Sequence, residues 1–514
     1  MMMTTCLSNR IVLRPYQMLA HEAITKGFHE YRKQIAVMPT GGGKTLVFAA
    51  LAQHYQPART LVLAHREELI FQAVDKIEKA TGLMAEVEMA DSKASFHAPV
   101  VVGSIQTLTR EQRRNRWPRD HFGLVVVDEC HRVLGESYLS TLRHFDSFAR
   151  VLGVTATPDR GDRKNLGQYF ENIAYEVGLL DLIRQNWLAP IKVKTVPLQI
   201  DLDGCRTTAG DYNAEDVGHA LEPYLERIAS VLDEHRHRKI LVFLPLISIS
   251  KDLARICRLR GIAAEHIDGQ SKDRTVILDR FRRGKTTLLT NAMLLAEGYD
   301  EPSIDCIVCL RPTQVRSLYS QIVGRGTRIY PGKDHLLLLD FLWLAEEHNL
   351  IKPAHLVAGD EEEAMAITDA LAGDGDLEEA KATAEEDRAT KLRERLRQNQ
   401  NRIARTFDAM EFALSLKDVD LAEFTPTMRW HEHDVSDKQR AIIARFGLDP
   451  DSVQNKGHAS ALLDRLFLRS NLHLATAKQL RWLYQIGHPH PETLTCKEAS
   501  AYLSEWANRK VHAI

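Results

Sequence analysis

The sequence predicts an α/β protein with two tandem domains, each built on a parallel sheet, followed by an acidic linker and a small all-α module. Two series of short apolar runs, separated by longer amphipathic stretches, predict the two α/β domains at residues 1–190 and 191–345. A shift to acidic composition predicts a linker and a basic helix at 346–430. An internal 40-residue repeat predicts the helical module at 431–514.

The predicted strands are apolar at every position and not at every second one. This pattern is typical of parallel strands that helices cover on both faces. In the first domain these runs are Ile35–Met38, Thr60–Ala64, Val100–Gly103, Leu124–Val127 and Val151–Val154. In the second domain they are Ile240–Leu244, Thr286–Asn291, Ile304–Leu310 and His335–Asp340.

The predicted linker joins two segments of opposite charge. Residues 359–387 are rich in Asp, Glu and Ala, which is typical of a partly disordered segment. Residues 388–405 carry many arginines, with Leu392, Leu396 and Ile403 at helical spacing. The acidic segment could pair with the basic helix and mask it, and the sequence leaves this open.

The repeat lies in the last segment. Lys438–Gln439 recurs as Lys478–Gln479, and Ala459–Ser460–Ala461 recurs as Ala499–Ser500–Ala501, both 40 residues later. Each copy predicts two helices, with Ser436 or Thr476 as the N-cap. We interpret the identities as shared packing, with a direct ligand-binding role as the alternative. The aromatic residues Trp482, Tyr484 and Trp506 could stack on bases, but their helical spacing favours a core position.

The overall composition limits the partner classes. The formal net charge of the 514 residues is −2, so a nucleic-acid partner requires a local basic surface. The pair Cys306 and Cys309 lies inside an apolar run, which favours a buried strand over half of a zinc site. The histidines of the segment 430–433 (WHEH) are expected to be solvated. No segment predicts export or a membrane span, so we expect a cytoplasmic protein, associated with a bacterial or phage nucleoid.

The segment Pro39–Thr45, PTGGGKT, follows an apolar run and precedes a helix-compatible one. Thr40, Gly41, Gly42 and Gly43 can wrap their backbone N–H groups around a phosphate at a helix N-terminus. Lys44 can reach the outer phosphates, and Thr45 can offer its hydroxyl to Mg²⁺. Met38 stands where the long form of the motif has its first glycine. A glycine-rich turn without a ligand is the alternative interpretation.

Two carboxylates, Asp128 and Glu129, follow the run Leu124–Val127 at the predicted carboxyl end of a strand, where open α/β sheets bind ligands. Asp128 is placed to hold Mg²⁺, and Glu129 to orient and deprotonate a water molecule. His131 is placed to connect this site to its surroundings.

Together these motifs resemble the superfamily 2 helicases and translocases of the DExH type, over about residues 11–345. The resemblance implies two RecA-like domains, ATP and Mg²⁺ as cofactors, and a nucleic-acid partner. In the first domain, Arg14 and Gln17 of RPYQ resemble the adenine-reading element of the family. The resemblance implies that four residues lie near the nucleic-acid backbone: His65, Arg66, Gln106 and Thr107. It also implies that Thr155 and Thr157 couple hydrolysis to domain movement.

In the second domain, TNAMLLAEGYDEP and QIVGRGTR match the remaining motifs in order. The resemblance implies that Thr290 lies near the nucleic acid and that Gly298 and Asp300 lie beside the nucleotide. It also implies that Gln321, Arg325 and Arg328 face the γ-phosphate. Arginine suits this role because its planar charge stabilises the charge that spreads over a transferring phosphoryl group.

Within the superfamily the motifs are most similar to those of the bacterial RadD group, and more distantly to UvsW, XPB and restriction-enzyme motors. The Cys-rich zinc elements of RadD-type proteins are not present after the motor motifs. The leading hypothesis is an ATP-driven DNA helicase or translocase, acting on single-stranded, duplex or forked DNA in repair, recombination or replication. The alternatives are a nucleotide-gated adaptor, whose C-terminal repeats bind a protein partner, and an RNA helicase.

Overall fold

The computed structural model describes residues 12–156, 166–202, 205–208, 211–296, 298–344, 350–371, 373–399 and 408–511. The chain divides into two compact units. The first comprises Met1–Asp162 and Asn172–Lys381, and the second comprises Arg163–Glu171 and Ala382–Ile514. The first unit carries two sheets of seven strands each and a small hairpin, and the second is built from helices.

A parallel sheet of seven strands organises the first part of the first unit, which we call the first lobe. Its strands are β1 (Lys33–Val37), β2 (Thr60–Ala64), β3 (Ala85–Glu88), β4 (Val100–Ser104), β5 (Leu124–Asp128), β6 (Arg150–Thr155) and β7 (Asn172–Glu176). Their order is β3-β4-β2-β5-β6-β1-β7, and all pairs are parallel. The predicted parallel sheet is therefore confirmed. The helices of this lobe are Pro15–Gly27, Lys44–His54, Glu67–Thr81, Ile105–Leu108, Glu111–Arg114, Glu136–Phe145 and Leu179–Arg184.

A second sheet organises the rest of the first unit, which we call the second lobe. Its strands are β8 (Ile191–Asp201), β11 (Ile240–Phe243), β12 (Ala264–Ile267), β13 (Leu288–Asn291), β14 (Cys306–Cys309), β15 (Leu336–Leu344) and β16 (Asp374–Asp376). They follow the order β12-β13-β11-β14-β15-β8-β16, and only β16 is antiparallel to its neighbour. β9 (Thr207–Thr208) and β10 (Asp211–Tyr212) form a separate small hairpin. The main helices are Ala214–Leu221, Leu225–Glu234, Ile247–Leu259, Arg274–Arg282 and Arg316–Gly324.

The acidic segment 359–387 differs from the expected partly disordered linker. It forms the helix Glu361–Leu371, the strand β16 and the start of the helix Leu377–Asn399. Ala364, Ile367 and Leu371 recur at helical spacing and are buried, so the acidic composition conceals an apolar helix face. This segment therefore adds to the second lobe. The end of the predicted basic helix, including Ile403, lies outside the described residues.

The second unit contains the two copies of the repeat. The helix Asp437–Arg445 is followed by Lys456–Asn471 in the first copy, and the helix Ala477–Gln485 is followed by Cys496–Val511 in the second. Each helix of the second copy starts 40 residues after its counterpart in the first. The core also takes in the helices Ala409–Ser415 and Val419–Ala422, so the module begins before the expected boundary at 431.

The shared glutamine explains the repeated Lys–Gln motif as packing chemistry. Gln439 Nε2 donates to the carbonyl oxygen of Lys456 at 3.2 Å and to Ser460 Oγ at 3.0 Å. Gln479 Nε2 makes the same two bonds in the second copy, to the carbonyl oxygen of Cys496 at 2.9 Å and to Ser500 Oγ at 2.8 Å. Each glutamine therefore ties the start of one helix to the start of the next.

Two expectations for the second unit are wrong. Trp482 is 52% exposed, because Ala477, Leu480 and Leu483 form the buried face of its helix and turn position 482 outward. His431 is not a solvated connector residue. Its Nδ1 accepts a hydrogen bond from the Thr427 N–H at 3.1 Å, and its ring packs beside Trp430.

Candidate functional site

The glycine-rich segment forms a tight loop between β1 and the helix Lys44–His54. Gly41 has φ +86° and Gly43 has φ +78°, conformations that glycine adopts at little cost. The Gly42 N–H donates to the carbonyl oxygen of Pro39 at 3.0 Å and closes the turn. Gly43 is the N-cap residue of the following helix, so the loop ends where unpaired N–H groups can receive an anion.

Residues of RPYQ hold this loop from behind. The Tyr16 hydroxyl and Gln17 Nε2 both donate to the carbonyl oxygen of Gly42, at 2.8 and 3.0 Å. The Gln17 side-chain oxygen accepts from the Arg14 N–H at 2.9 Å, and Gln17 is buried. The guanidinium of Arg14 lies 5.2 Å from the ring centroid of Trp187. The structure thus brings Arg14 and Gln17 to the glycine loop, and it adds Trp187, which no sequence motif marked.

The two carboxylates lie directly opposite the lysine of the loop. Asp128 ends β5, and Glu129 follows with φ +52°, a left-handed conformation that re-aims the chain. Lys44 Nζ lies 3.2 Å from Glu129 Oε1. His131 Nδ1 lies 3.4 Å from Glu129 Oε2. The structure therefore brings Lys44, Asp128, Glu129 and His131 together.

The two carboxylates differ in proton affinity. Burial, together with the charge of Glu129, raises the pKa of Asp128 to about 6, although Lys44 opposes the shift. Burial also acts to raise the pKa of Glu129, but the charges and hydrogen bonds of Lys44 and His131 outweigh it and lower that pKa. A buried carboxylate pair beside one ammonium group fits a divalent cation, which would offset the remaining negative charge. Asp128 and the half-buried Thr45 would hold it.

The second lobe supplies the arginines. Arg325 is buried, and its Nη1 donates to the carbonyl oxygen of Tyr299 at 2.8 Å. Its Nε donates to the carbonyl oxygen of Gln321 at 3.3 Å, and Gln321 is itself buried. Arg328 forms an ion pair with Asp300.

The arginine-bearing segment lies against the glycine loop of the first lobe. A Cβ added to Gly324 would lie 2.5 Å from the Cβ of Thr40, and one added to Gly41 would lie 3.2 Å from Thr327 Oγ1. Lys76 of the first lobe lies 3.9 Å from Asp300. Burial lowers the pKa of Lys76, and Asp300, Arg328, Arg325 and Asp128 also affect that pKa. The arginine-bearing segment and the glycine loop therefore pack directly against each other.

Three of the expected nucleic-acid contacts lie close together, but both ring nitrogens of His65 are buried. His65 and Arg66 follow β2 and are half-buried, just before the helix Glu67–Thr81. Gln106 is exposed, and its Nε2 donates to the carbonyl oxygen of His65 at 2.7 Å. These residues therefore form one patch at the carboxyl ends of β2 and β4.

The other two expected contacts are buried. Thr107 is 5% exposed, and its hydroxyl accepts from the Ala90 N–H at 3.0 Å. Thr290 is 0% exposed, and its hydroxyl donates to the carbonyl oxygen of Ser250 at 2.9 Å. Because both hydroxyls are buried and hydrogen-bonded within the protein, the structure does not support a nucleic-acid contact for Thr107 or Thr290. Their side-chain direction depends on packing that the motifs do not encode.

Thr155 lies next to the glycine loop, and Gly298 lies against the first lobe. Thr155 ends β6 and is buried, and its carbonyl oxygen accepts from the Met38 N–H at 3.0 Å, next to the glycine loop. Thr157 lies outside the described residues. Gly298 has φ +77°, and a Cβ there would lie 3.2 Å from the Cβ of Glu68 in the first lobe.

Other site types find no support within the described ranges. Cys306 and Cys309 are buried in β14, and no cluster of three or more metal-ligating side chains occurs among the described residues. None of the helices in those ranges combines the length and the apolar character needed to cross a lipid bilayer.

Two known families match the part of the chain that forms the two lobes. Residues 10–160 match the family described as type III restriction enzyme, res subunit, and residues 223–330 match the helicase conserved C-terminal domain. These matches fall on the first and second lobes, respectively.

Similar proteins include helicases and translocases. The chain is 32% identical over 356 residues to a Saccharomyces cerevisiae protein named as a candidate ATP-dependent helicase, IRC3, covering 64% of this chain and 51% of that protein. It is 24% identical over 366 residues to the DNA 3'-5' translocase XPB2 of Sulfurisphaera tokodaii, covering 63% and 80%. The chain thus spans about half the length of the first of these relatives.

Among solved structures, a type ISP restriction-modification enzyme, LlaBIII, bound to DNA, has a similar fold. The TM-score is 0.55 at 18% identity, covering 71% of this chain and 31% of that one. The similarity supports the two-lobed arrangement of parallel sheets.

Proposed function

Because the chain belongs to superfamily 2 of the helicases and translocases, we propose that it is a motor that couples ATP hydrolysis to movement along DNA. One observation carries this proposal: the glycine loop before Lys44 packs against Gly324 and Thr327, in the segment of the second lobe that carries Arg325 and Arg328. Such a site depends on both lobes, so hydrolysis can be coupled to their closure.

The glycine loop and Lys44 bind the phosphates of ATP, and Arg14 and Gln17 are placed to bind its base. Thr45 and Asp128 hold Mg²⁺, which neutralises phosphate charge when bound. Glu129 accepts a proton from the attacking water, and its ionised state suits this role. Gln321, Arg325 and Arg328 stabilise the transferring phosphoryl group from the second lobe, beside Gly298 and Asp300.

We assign the strand-contacting role to Arg66 and Gln106, and His65 holds Gln106 in place through its carbonyl oxygen. His131 and Thr155 connect this surface to the phosphate site, through Glu129 and the Met38 backbone respectively. Grip on the strand relies on phosphates, so affinity falls with salt and depends weakly on base sequence. Alternate closing and opening of the lobes then moves the chain along the strand.

The test is a substrate panel. ATP turnover is measured without nucleic acid and with single-stranded DNA, duplex DNA, forks or RNA, for the wild type and for Lys44→Ala. We expect stimulation by DNA and a loss of at least about 100-fold in Lys44→Ala, because the phosphates lose their counter-charge. Lys33→Ala, whose lysine pairs with Asp146 at 2.7 Å, serves as the control. Equal turnover of Lys44→Ala and wild type in all conditions would refute the proposal, and stimulation by RNA alone would support an RNA helicase.

For the cellular role we propose DNA repair, recombination or replication, in the manner of the RadD-like group and within a bacterial or phage nucleoid. A strain that lacks the gene should then be sensitised to DNA damage. Unchanged survival after ultraviolet and crosslinking treatment would contradict this role.

A second candidate function is that of an adaptor whose second unit binds a protein. The observation in its favour is that Trp482, Phe467 and Leu472 are exposed on a unit with its own core. Deletion of residues 382–514 separates the two ideas. If unwinding persists and partner binding disappears, the second unit is an adaptor; if unwinding is lost, it is part of the motor.

A further inference from the structure

The helix Glu67–Thr81 of the first lobe contacts the loop 298–300 of the second lobe. A Cβ at Gly298 would lie 3.2 Å from the Cβ of Glu68 and 3.5 Å from Gln72 Nε2. Glu68 also lies 3.9 Å from Arg274 of the second lobe. The same helix begins directly after His65 and Arg66, so it connects the assigned strand-contacting surface to the loop beside the arginines.

Lys76 on this helix shares a carboxylate with an arginine of the second lobe. Asp300 Oδ2 lies 3.9 Å from Lys76 Nζ, and Asp300 Oδ1 pairs with Arg328 Nη1. The side chains of Lys76 and Asp300 are 38% and 45% exposed, whereas that of Arg328 is 19% exposed. One carboxylate thus lies between two cations that belong to opposite lobes.

We propose that Lys76 is a positioning residue that draws Asp300 away from Arg328 when the lobes close, and so releases Arg328 toward the transferring phosphoryl group. This inference rests on the proposed ATPase function and goes beyond it, because no motif of the chain includes Lys76. Arg328 held by Asp300 cannot offer its full charge and its donors to phosphate oxygens. A competing cation on the other lobe makes that release depend on closure.

The partial exposure of Lys76 and Asp300 makes such an exchange feasible. Because both side chains are partly exposed, their ion pair contributes little to stability. Arg328 is largely buried, so its loss of Asp300 is offset only when phosphoryl oxygens take up its charge. A small movement of the helix suffices, because the Lys76–Asp300 distance of 3.9 Å is at the long end of direct contact. DNA bound at Arg66, the N-cap residue of this helix, would favour this movement, so stimulation of turnover by DNA should pass partly through Lys76.

The experiment compares Lys76→Met with Lys76→Arg in the full chain, and Lys79→Met is the matched control. Lys79 lies on the same helix, is 75% exposed and pairs with Asp75 within that helix. We expect Lys76→Met to lower the DNA-stimulated kcat about tenfold, with KM for ATP within about twofold and an unchanged melting temperature. Lys76→Arg should restore most of kcat, and Lys79→Met should resemble the wild type.

A double-variant cycle with Asp300→Asn tests the exchange itself. Asp300→Asn already frees Arg328, so adding Lys76→Met should cost no further activity. An unchanged kcat in Lys76→Met, a failure of Lys76→Arg to restore it, or an equal loss in the Asp300→Asn background would each overturn the inference. These outcomes are distinct from failure of the proposed function, which would appear as a wild type that does not hydrolyse ATP under any condition.

Discussion

The side-chain nitrogen of Gln17 donates a hydrogen bond of 3.0 Å to the carbonyl oxygen of Gly42, so a residue before the first strand supports the glycine loop directly. The glycine loop and the segment that we propose to bind the base are therefore connected through one amide.

We expect Gln17→Ala to raise KM for ATP about tenfold and to weaken the preference for ATP over GTP. The variant removes the bond to Gly42, whose carbonyl oxygen keeps the bond from the Tyr16 hydroxyl, at a cost of about 0.5–1.5 kcal/mol. Steady-state kinetics with both nucleotides provide the measurement. Gln53→Ala, at an exposed position of the helix Lys44–His54, should behave like the wild type. If Gln17→Ala keeps both KM values, Gln17 has no role in nucleotide binding.

Gly324→Ala should prevent the close approach of the lobes. Its Cβ would lie 2.5 Å from the Cβ and Cγ2 of Thr40, a separation that real side chains do not tolerate. We expect kcat to fall at least about tenfold while the first lobe still binds a fluorescent ATP analogue within about threefold of the wild-type affinity. Gly269→Ala is the control, because a Cβ there meets nothing within 4 Å. Normal turnover by Gly324→Ala would show that this contact is not part of the catalytic cycle.

The paired glutamines of the repeat should have equivalent effects on their own copies. Gln439→Ala or Gln479→Ala removes the two Nε2 bonds to the next helix and the two bonds that the side-chain oxygen accepts from the N-cap residue, Ser436 or Thr476. We expect a loss of about 1–2 kcal/mol of local stability. Hydrogen exchange of the full chain should therefore quicken about fivefold or more in Lys456–Asn471 for the first variant and in Cys496–Val511 for the second. Gln485→Ala, at an exposed position, should leave both helices unchanged. Identical exchange in all three variants would contradict the packing role.

The stability of the second unit should fall as pH decreases from 7 to 4. Burial lowers the pKa of His431 to about 4, against 6.5 for the free side chain. Between pH 6.5 and 4 the His431 side chain is protonated in the unfolded chain but not in the folded unit. The stability that neutral His431 contributes is therefore present above pH 6.5 and is lost as pH falls toward 4. Because His431 is only partly buried, we expect a loss of about 1–2 kcal/mol.

The matched variant for this effect is His431→Asn, whose side-chain oxygen can accept the same bond from the Thr427 N–H. Its unfolding free energy should depend less on pH between 7 and 4. Burial also lowers the pKa of His458, which stacks on Phe424 near His431, so a smaller dependence of the same sign should remain. His433→Asn, at an exposed position, should keep the full wild-type dependence. An unchanged slope in His431→Asn would rule out His431 as its source.

The features that could be predicted from the sequence are the strands and motifs that depend on local residue patterns. The features that could not be predicted are contacts that depend on tertiary packing. Continuous apolar runs predicted five of the seven strands of the first sheet and four of the seven of the second to within a few residues, because burial on two faces leaves a distinct composition. The predicted runs do not include the remaining strands. The motifs did not mark Trp187 or Lys76, whose proximity to the site arises only when distant segments fold together. They also assigned Thr290 to the nucleic acid, because a motif records the residue type and not the direction of its side chain.

The acidic segment shows the same limit at the level of secondary structure. Its composition indicates disorder, yet three of its residues, Asp374–Asp376, form a strand that pairs with Lys192, Val193 and Lys194 of β8. Opposite charges on the two strands favour this pairing, and single-sequence composition does not reveal a partner that lies about 180 residues away.

The strand β16 has a consequence for how the chain behaves in concentrated solution. β8 is long, and without β16 its outer backbone groups would be free to recruit a strand from another molecule. A short, acidic and antiparallel cover satisfies some of these groups while offering little surface for further growth of the sheet. Shortened forms of this protein that end before residue 374 should therefore self-associate into insoluble material more readily than forms that end after residue 381.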